Sequence, residues 1–295
     1  MKSKLTFLPI LIFGLVTIQI FSKQENKVQR CSSYPFISGD AFRTFCDFII
    51  DKTNCSFNPD ALQDGDTIFL KTDYLAYFFK VFHPRITKKY ILVTHNSDLR
   101  APGKFASFLN DKKLIAWFGQ NVCQYHPKLI PIPIGLANSH FLNGNISIIT
   151  DIESHQKIKD KLLYLNISGT HHERRKVEQI FSGKPFCFKS NRKPFKSYLE
   201  DLASSFFVLS PRGKGEDCYR TWETLLCGSF PVVRHSTIDK LFTDLPVVII
   251  NDWEEITESF LHNKLKEFSL KEFRMEKLYA DYWLELIRNI QRQYK

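Results

Sequence analysis

Apolar residues along the chain fall into short runs of strand length, separated by stretches with helical spacing, the pattern of a parallel sheet with helices packed on its faces. In the first half the strand-like runs bounded by turn residues are 67–71, 90–94, 114–118 and 129–134, with helical stretches near 73–81 and 102–110 between them. A polar segment, 138–161, has no comparable apolar run. A second series follows at once: strands at 162–167, 186–189, 206–210, 230–234 and 247–251, and helices near 172–181, 195–204, 218–227 and 237–242. The final stretch, 253–294, is helical, with apolar positions such as Phe260, Leu265, Phe268, Leu278 and Leu286. The prediction is an α/β protein of two Rossmann-like lobes, 31–150 and 151–295, the second ending in a helical tail. Ligands of such sheets bind beyond the carboxyl ends of the strands, so the residues that follow each strand are the ones to examine for chemistry.

The N-terminus stands apart from this rhythm. Lys2 and Lys4 precede a mostly apolar stretch, 5–21, broken only by Pro9, Gly14, Thr17 and Gln19. Residues 1–22 are therefore read as a targeting segment and 23–30 as a linker or stem. The stretch is longer than many signal cores and shorter than the roughly 20 apolar residues that span a bilayer, so a cleaved signal peptide and a retained signal anchor both remain open. Its positive flank would keep the N-terminus cytoplasmic and carry the rest across. The protein is expected to be exported or membrane-attached: in the Golgi or ER lumen of a eukaryote, or in the envelope or outside of a bacterium.

The formal net charge of +10 over 295 residues favours an anionic partner. With no run of five Lys/Arg and no aromatic-basic motif, nucleic acid is not expected to be that partner. Seven cysteines show no CxxC pairing, which argues against structural zinc. Across a membrane, Cys31, Cys46 and Cys55 lie close enough in sequence to be stapled. Cys218 and Cys227, by contrast, share a predicted helix about 13 Å apart, too far for a disulfide. Asn-x-Ser acceptors occur at Asn54, Asn145 and Asn166, the last at the end of a predicted buried strand, where a glycan is not expected.

The most informative segment runs from Phe206 to Val233 and reads strand, glycine loop, helix, turn, strand. Asp217 is placed to cap the helix, Arg220 falls in its first turn, Glu223 one turn on, and Gly228 supplies a left-handed stop. Tyr219, Trp222, Leu225 and Leu226 share one face, and Arg220, Glu223 and Thr224 the other. Free N–H groups at the helix start, fixed charge on Arg212 and Arg220, and close backbone approach at Gly213 and Gly215 are what a diphosphate requires. Glu223 is placed to accept hydrogen bonds from a ribose diol. The plainer reading is a capped helix whose Arg220 and Glu223 form an exposed i,i+3 pair. Neither a Walker loop nor a dinucleotide fingerprint is present.

The stretch Ser210-Pro-Arg-Gly, with Asp217-Cys-Tyr-Arg-Thr-Trp-Glu and Gly228-Ser-Phe-Pro-Val, resembles the C-terminal signature of exostosin-type glycosyltransferases. Leu245-Pro-Val-Val-Ile-Ile-Asn-Asp-Trp and the upstream Thr94-His-Asn-Ser-Asp and Ile132-Pro-Ile-Gly-Leu extend the likeness over about 90–253. The resemblance implies a GT-B fold and transfer from a nucleotide-diphosphate-sugar, a UDP-sugar foremost, to a glycan or glycoprotein acceptor. It implies that Arg220 contacts the diphosphate, Glu223 the ribose, and the Ser210–Arg212–Gly213 loop the sugar or phosphates. It also implies that there is no cofactor and no essential metal. The chain is shorter than the animal exostosins and carries one transferase unit, so heparan-type substrates are not carried over.

A transferase acting by direct displacement needs a base for the acceptor hydroxyl. His95 and Asp98 follow the predicted strand 90–94 and are candidates. The plainer reading is an Asx turn at Asn96 and Asp98 beside a buried imidazole. After the first strand of the second lobe, Ser168, Thr170 and Arg174 are expected to border the donor phosphates. His171-His172-Glu173 lacks HExxH spacing and reads as a helix start rather than a metal site, and Asp64-Gly65-Asp66 precedes a strand, where it reads as a turn. A basic, non-catalytic glycan- or polyanion-binding protein on the same fold is the competing class.

Overall fold

The computed structural model describes residues 30–153 and 158–295, so the targeting segment and nearly all of the stem lie outside the described residues. No helix among the described residues is long and apolar enough to cross a membrane. The first lobe contains α1 (Gly39–Thr44), β1 (Phe48–Ile50), β2 (Asp66–Lys71), α2 (Leu75–Tyr77, continuing as a π-turn to Phe82), β3 (Tyr90–His95), β4 (Leu114–Gly119) and β5 (Leu129–Pro131). After a linking helix, α3 (Ile146–Glu153), the second contains β6 (Lys161–Leu165), α4 (His172–Phe181), β7 (Cys187–Lys189), α5 (Phe195–Ala203), β8 (Ser205–Leu209), α6 (Tyr219–Leu226), β9 (Phe230–Arg234) and β10 (Val248–Ile250). Helices α7 (Glu258–Phe268) and α8 (Ala280–Gln291) close the chain.

Both sheets are five-stranded and wholly parallel, giving two Rossmann-like lobes. Strand β3 is buried along its whole length, as a central strand covered on both faces must be. The two sheets differ in one respect that matters for binding. The first is wound in sequence order, β1-β2-β3-β4-β5, whereas the second runs β10-β9-β8-β6-β7. Its chain leaves β6 toward β7, then returns to β8 on the other side of β6. That reversal opens a crevice at the carboxyl ends of β6 and β8, where open α/β sheets bind ligands.

One apolar core joins the lobes, running from Phe42, Phe69 and Trp117 in the first to Tyr164, Trp222 and Phe242 in the second. Helix α8, expected with the second lobe, packs on α1 of the first, with the Trp283 and Phe42 rings 6.0 Å apart. The polar segment 138–161 holds α3, whose Ile149 and Ile152 are buried as it packs against α5. Two other elements, α1 and β1, fall outside the predicted set because six and three residues are too short to show periodicity. The staple that the spacing of Cys31, Cys46 and Cys55 left open is not formed; all seven cysteines are free thiols.

Candidate functional site

The site grows from the two loops that leave β6 and β8. Helix α4 starts at His172, with the ring of His171 accepting the Glu173 N–H at 3.3 Å, so the His-His-Glu run is a helix N-terminus. This start throws Arg174 inward, where it is only 9% exposed. Its Nε donates to the Arg212 carbonyl (3.0 Å) and its Nη1 to Thr170 Oγ1 (3.0 Å) and Ser168 Oγ (3.3 Å). A Cβ at Gly213 would stand 3.1 Å from Arg174 Nη2, so the β8 loop approaches this guanidinium because residue 213 has no side chain. No described carboxylate pairs with Arg174, and burial lowers its affinity for its proton.

Helix α6 follows the β8 loop. Its burial departs from the two-faced expectation: Thr221 to Leu226 are all buried, because α5 covers the face that was to have been polar. Arg220 and Glu223 are therefore not a solvated surface pair. Arg220 Nε and Nη1 are buried without a hydrogen-bond partner among the described residues. Glu223 is 5% exposed, and its Oε2 accepts from the Tyr198 hydroxyl of α5 at 3.0 Å. Burial pushes the Glu223 carboxyl up to about 7, against the pull of Tyr198 and Arg220. Asp217 does not cap the helix in the expected way, since the N-cap position is Cys218 and no side chain caps it. Its carboxylate is buried and accepts from Cys218 N (2.8 Å), Trp222 Nε1 (2.8 Å) and Ile134 N of the first lobe (2.8 Å). Burial outweighs these bonds and raises it to about 6. Gly228, at φ +67°, is the left-handed stop that the sequence foretold.

These groups meet in a cleft of about 900 Å³ at the β6/β8 crevice, lined by Arg174, Arg220, Glu223 and Ser168, with Phe195 and Tyr198 as aromatic walls. Ser210 and Arg212 line a neighbouring hollow of about 290 Å³ on the other side of the β8 loop. Arg212 is not free charge: Glu216 takes its Nη1 at 2.6 Å and Arg100 Nη2 of the first lobe at 2.5 Å. Ser210 Oγ is engaged with Thr221 Oγ1 at 2.9 Å. Thus Arg174, Arg220 and Glu223 face one cavity, Thr170 and Gly213 position Arg174, and Ser210 and Arg212 serve the loop and the contact between lobes. Tyr198, whose hydroxyl holds Glu223, was not among the residues that the sequence singled out.

In the first lobe His95 is not the base expected of it. It is 1% exposed, its Nε2 lies 2.9 Å from the Pro133 carbonyl, and its Nδ1 accepts the Asn96 N–H at 2.7 Å. Both ring nitrogens are occupied, and burial lowers its pKa to about 4. Asp98 is exposed at the cleft side of the lobe, near enough for its charge to help raise the Tyr219 hydroxyl, an effect led by burial. Asp64 and Asp66 accept from Lys89 N and Gln63 N in the turn before β2, and Asp66 pairs with Lys295. Asn166 donates to the Tyr164 hydroxyl and the Asn191 carbonyl at the cleft wall, a poor place for a glycan.

Residues 170–293 match the family model of the RXYLT1 C-terminal domain, a span that includes Arg174, Ser210, Arg220 and Glu223. A comparison with curated protein sequences finds no match. Among solved structures the chain is similar to the GtfA/B complex, with TM-score 0.39 and 8% identity over 78% of this chain and 58% of that one. It is also similar to the UDP-GlcNAc 2-epimerase of Methanocaldococcus jannaschii, with TM-score 0.38 and 9% identity over 76% and 77% of the two chains. A third is the pneumococcal O-GlcNAc transferase GtfA in complex with UDP and GlcNAc, with TM-score 0.36 and 11% identity over 79% of this chain and 56% of that one. The chain thus spans under two thirds of the first and third of these structures. The family model thus covers most of the second lobe, and the two parallel sheets give the chain an α/β fold of two Rossmann-like lobes.

Proposed function

We propose that this protein transfers a sugar from a nucleoside diphosphate sugar, a UDP-sugar foremost, to a glycan or glycoprotein acceptor. One observation carries the reading: two guanidiniums, Arg174 and Arg220, line the crevice of the second sheet, Arg174 with no described ion-pair partner and Arg220 with two buried nitrogens unbonded and only Glu223, itself raised toward neutrality by burial, as a nearby carboxylate. Buried positive charge in excess of its counter-charge is costly, so a site that gathers two guanidiniums around one half-neutralised carboxylate suits an anion that arrives later. A diphosphate supplies the charge and the oxygens that forked donors match. Glu223, held by Tyr198, takes the ribose hydroxyls, and Phe195 and Tyr198 offer faces for the base.

In this reading the two arginines and the start of α6 stabilise the departing diphosphate, so the reaction needs no metal or cofactor. The N-terminal 22 residues deliver the domain as an exported or membrane-attached enzyme whose partners are the sugar donor, the acceptor glycan and, if the anchor is kept, the membrane. Thermal shift of the described domain against UDP-, GDP- and CMP-sugars, with and without chelator, tests the reading. Stabilisation by one nucleotide class, indifferent to chelator and abolished in Arg220→Ala, is expected. Stabilisation by none, together with salt-sensitive retention on polyanions, would replace the transferase by a binding protein.

A further inference from the structure

With both nitrogens of His95 engaged, the displacement still lacks a group to take the acceptor's proton. On the same edge of the first lobe two buried polar atoms face each other with no hydrogen-bond partner, Asp40 Oδ2 and His140 Nδ1, 3.7 Å apart. Asp40 is held rigidly at the start of α1: its N–H donates to Asn138 Oδ1 (2.8 Å), and its Oδ1 accepts from Arg30 Nη1 (2.9 Å) and Asn96 Nδ2 (3.3 Å). The backbone is shaped for this meeting. A Cβ at Gly39 would lie 1.9 Å from Asn96 Oδ1, and one at Gly144 would lie 2.1 Å from the Asn138 carbonyl. His140 lines a hollow of about 550 Å³ that shares Leu142 with the donor cleft. Its Nε2 makes no hydrogen bond to a described residue.

We propose that His140 is the general base of the transfer and that Asp40 is its positioning residue. The assignment rests on the donor reading given above. A shortening of the 3.7 Å gap directs the Nδ1 proton to Asp40 and leaves the Nε2 lone pair facing the hollow. The acceptor hydroxyl gives its proton to Nε2 as its oxygen bonds to the anomeric carbon. The bond from that carbon to the diphosphate oxygen breaks, and its electron pair leaves with the nucleoside diphosphate toward Arg174 and Arg220. The product therefore has inverted configuration. The charged groups facing the ring are Arg30 and Asp40. Burial, the largest influence, and Arg30 lower the imidazole pKa while Asp40 opposes them, which keeps His140 unprotonated at neutral pH. Asp98, by comparison, is exposed and has no described hydrogen-bond partner to aim it.

The test uses the full chain and the UDP-sugar that stabilises it most, following UDP release with water and with p-nitrophenyl glycosides as acceptors. His140→Ala is expected to lower kcat by about 10²- to 10⁴-fold with donor KM unchanged, and to erase the limb of the pH profile that rises through the imidazole pKa. Asp40→Asn should lower kcat less and shift that limb, and His140→Gln, checked for an unchanged melting curve, guards against misfolding. Activity of His140→Ala within threefold of the wild type, a loss confined to Asp98→Asn, or a product of retained configuration would overturn the assignment. If the variants still bind donor, the donor reading stands while the base fails; if no nucleotide sugar binds the wild type, both fall.

Discussion

Glu223 is the residue whose chemistry depends most on its surroundings. Its carboxyl sits near 7 when folded against an ordinary 4.5, and Asp217 near 6 against 3.8, both because burial disfavours the charged form. A group raised in this way contributes stability that is fully present below its unfolded pKa and lost as pH rises through the folded one. The unliganded protein should therefore become less stable between about pH 4.5 and 7, each such group adding a slope of up to about 1.4 kcal/mol per pH unit. Urea unfolding at pH 5 and 7.5 reads this directly. In Glu223→Gln the difference between the two pH values should shrink, and an unchanged difference would place the titration elsewhere. The Ser210–Glu223 motif was legible because a glycine loop, a helix start and their charges are local features. The burial that sets these pKa values was not, because it comes from α5 and from the first lobe. The same holds for His95, where the sequence shows a polar residue after a strand and says nothing of the Pro133 carbonyl that occupies it.

Among the elements, α6 carries the most. Trp222 is 1% exposed, lies in the core shared by the lobes, and gives its N–H to Asp217. Trp222→Ala should cost about 3–5 kcal/mol in chemical denaturation, from the cavity and from the lost partner of a buried carboxylate. Trp222→Phe should cost less while leaving that carboxylate one donor short. Turn chemistry gives a second expectation. Gly135 has φ +64°, and a Cβ there would stand 2.3 Å from the Ile37 carbonyl, so Gly135→Ala should destabilise through both strain and clash. Gly228 has the same sign of φ but open space around it, so Gly228→Ala should cost only about 1 kcal/mol. Long strands and the helices of 172–181 and 195–204 were legible because they are periodic over two turns or more. The three-residue β1 and the linking helix α3 were not, since α3 hides two buried isoleucines in an otherwise polar segment.

For the whole molecule, what makes a site is the way two parallel sheets are wound and then locked together. The strand order that creates the crevice in the second sheet cannot be read from a list of strands, although their number and parallel rhythm can. The lobes are joined by polar hooks as well as by the common core. Asn121, held at φ +54°, accepts the N–H groups of Glu216 and Asp217 at 3.0 and 3.2 Å, and Thr237 donates to the Val122 carbonyl. Asn121→Ala would leave two N–H groups at the loop between β8 and α6 unpaired. It should lower the melting temperature and weaken donor binding without touching the arginines, as calorimetry would show. The central claim is that the crevice recognises a diphosphate through Arg174 and Arg220. Its most direct test is titration calorimetry of the nucleoside diphosphate selected by the donor screen against its parent nucleoside, in wild type and in Arg220→Ala. The account predicts that the diphosphate binds the wild type at least about 100-fold more tightly than the nucleoside, as charge-assisted bonds to two guanidiniums should allow, and that most of this margin vanishes in Arg220→Ala. An equal affinity for both ligands, or a margin that survives the substitution, would contradict it.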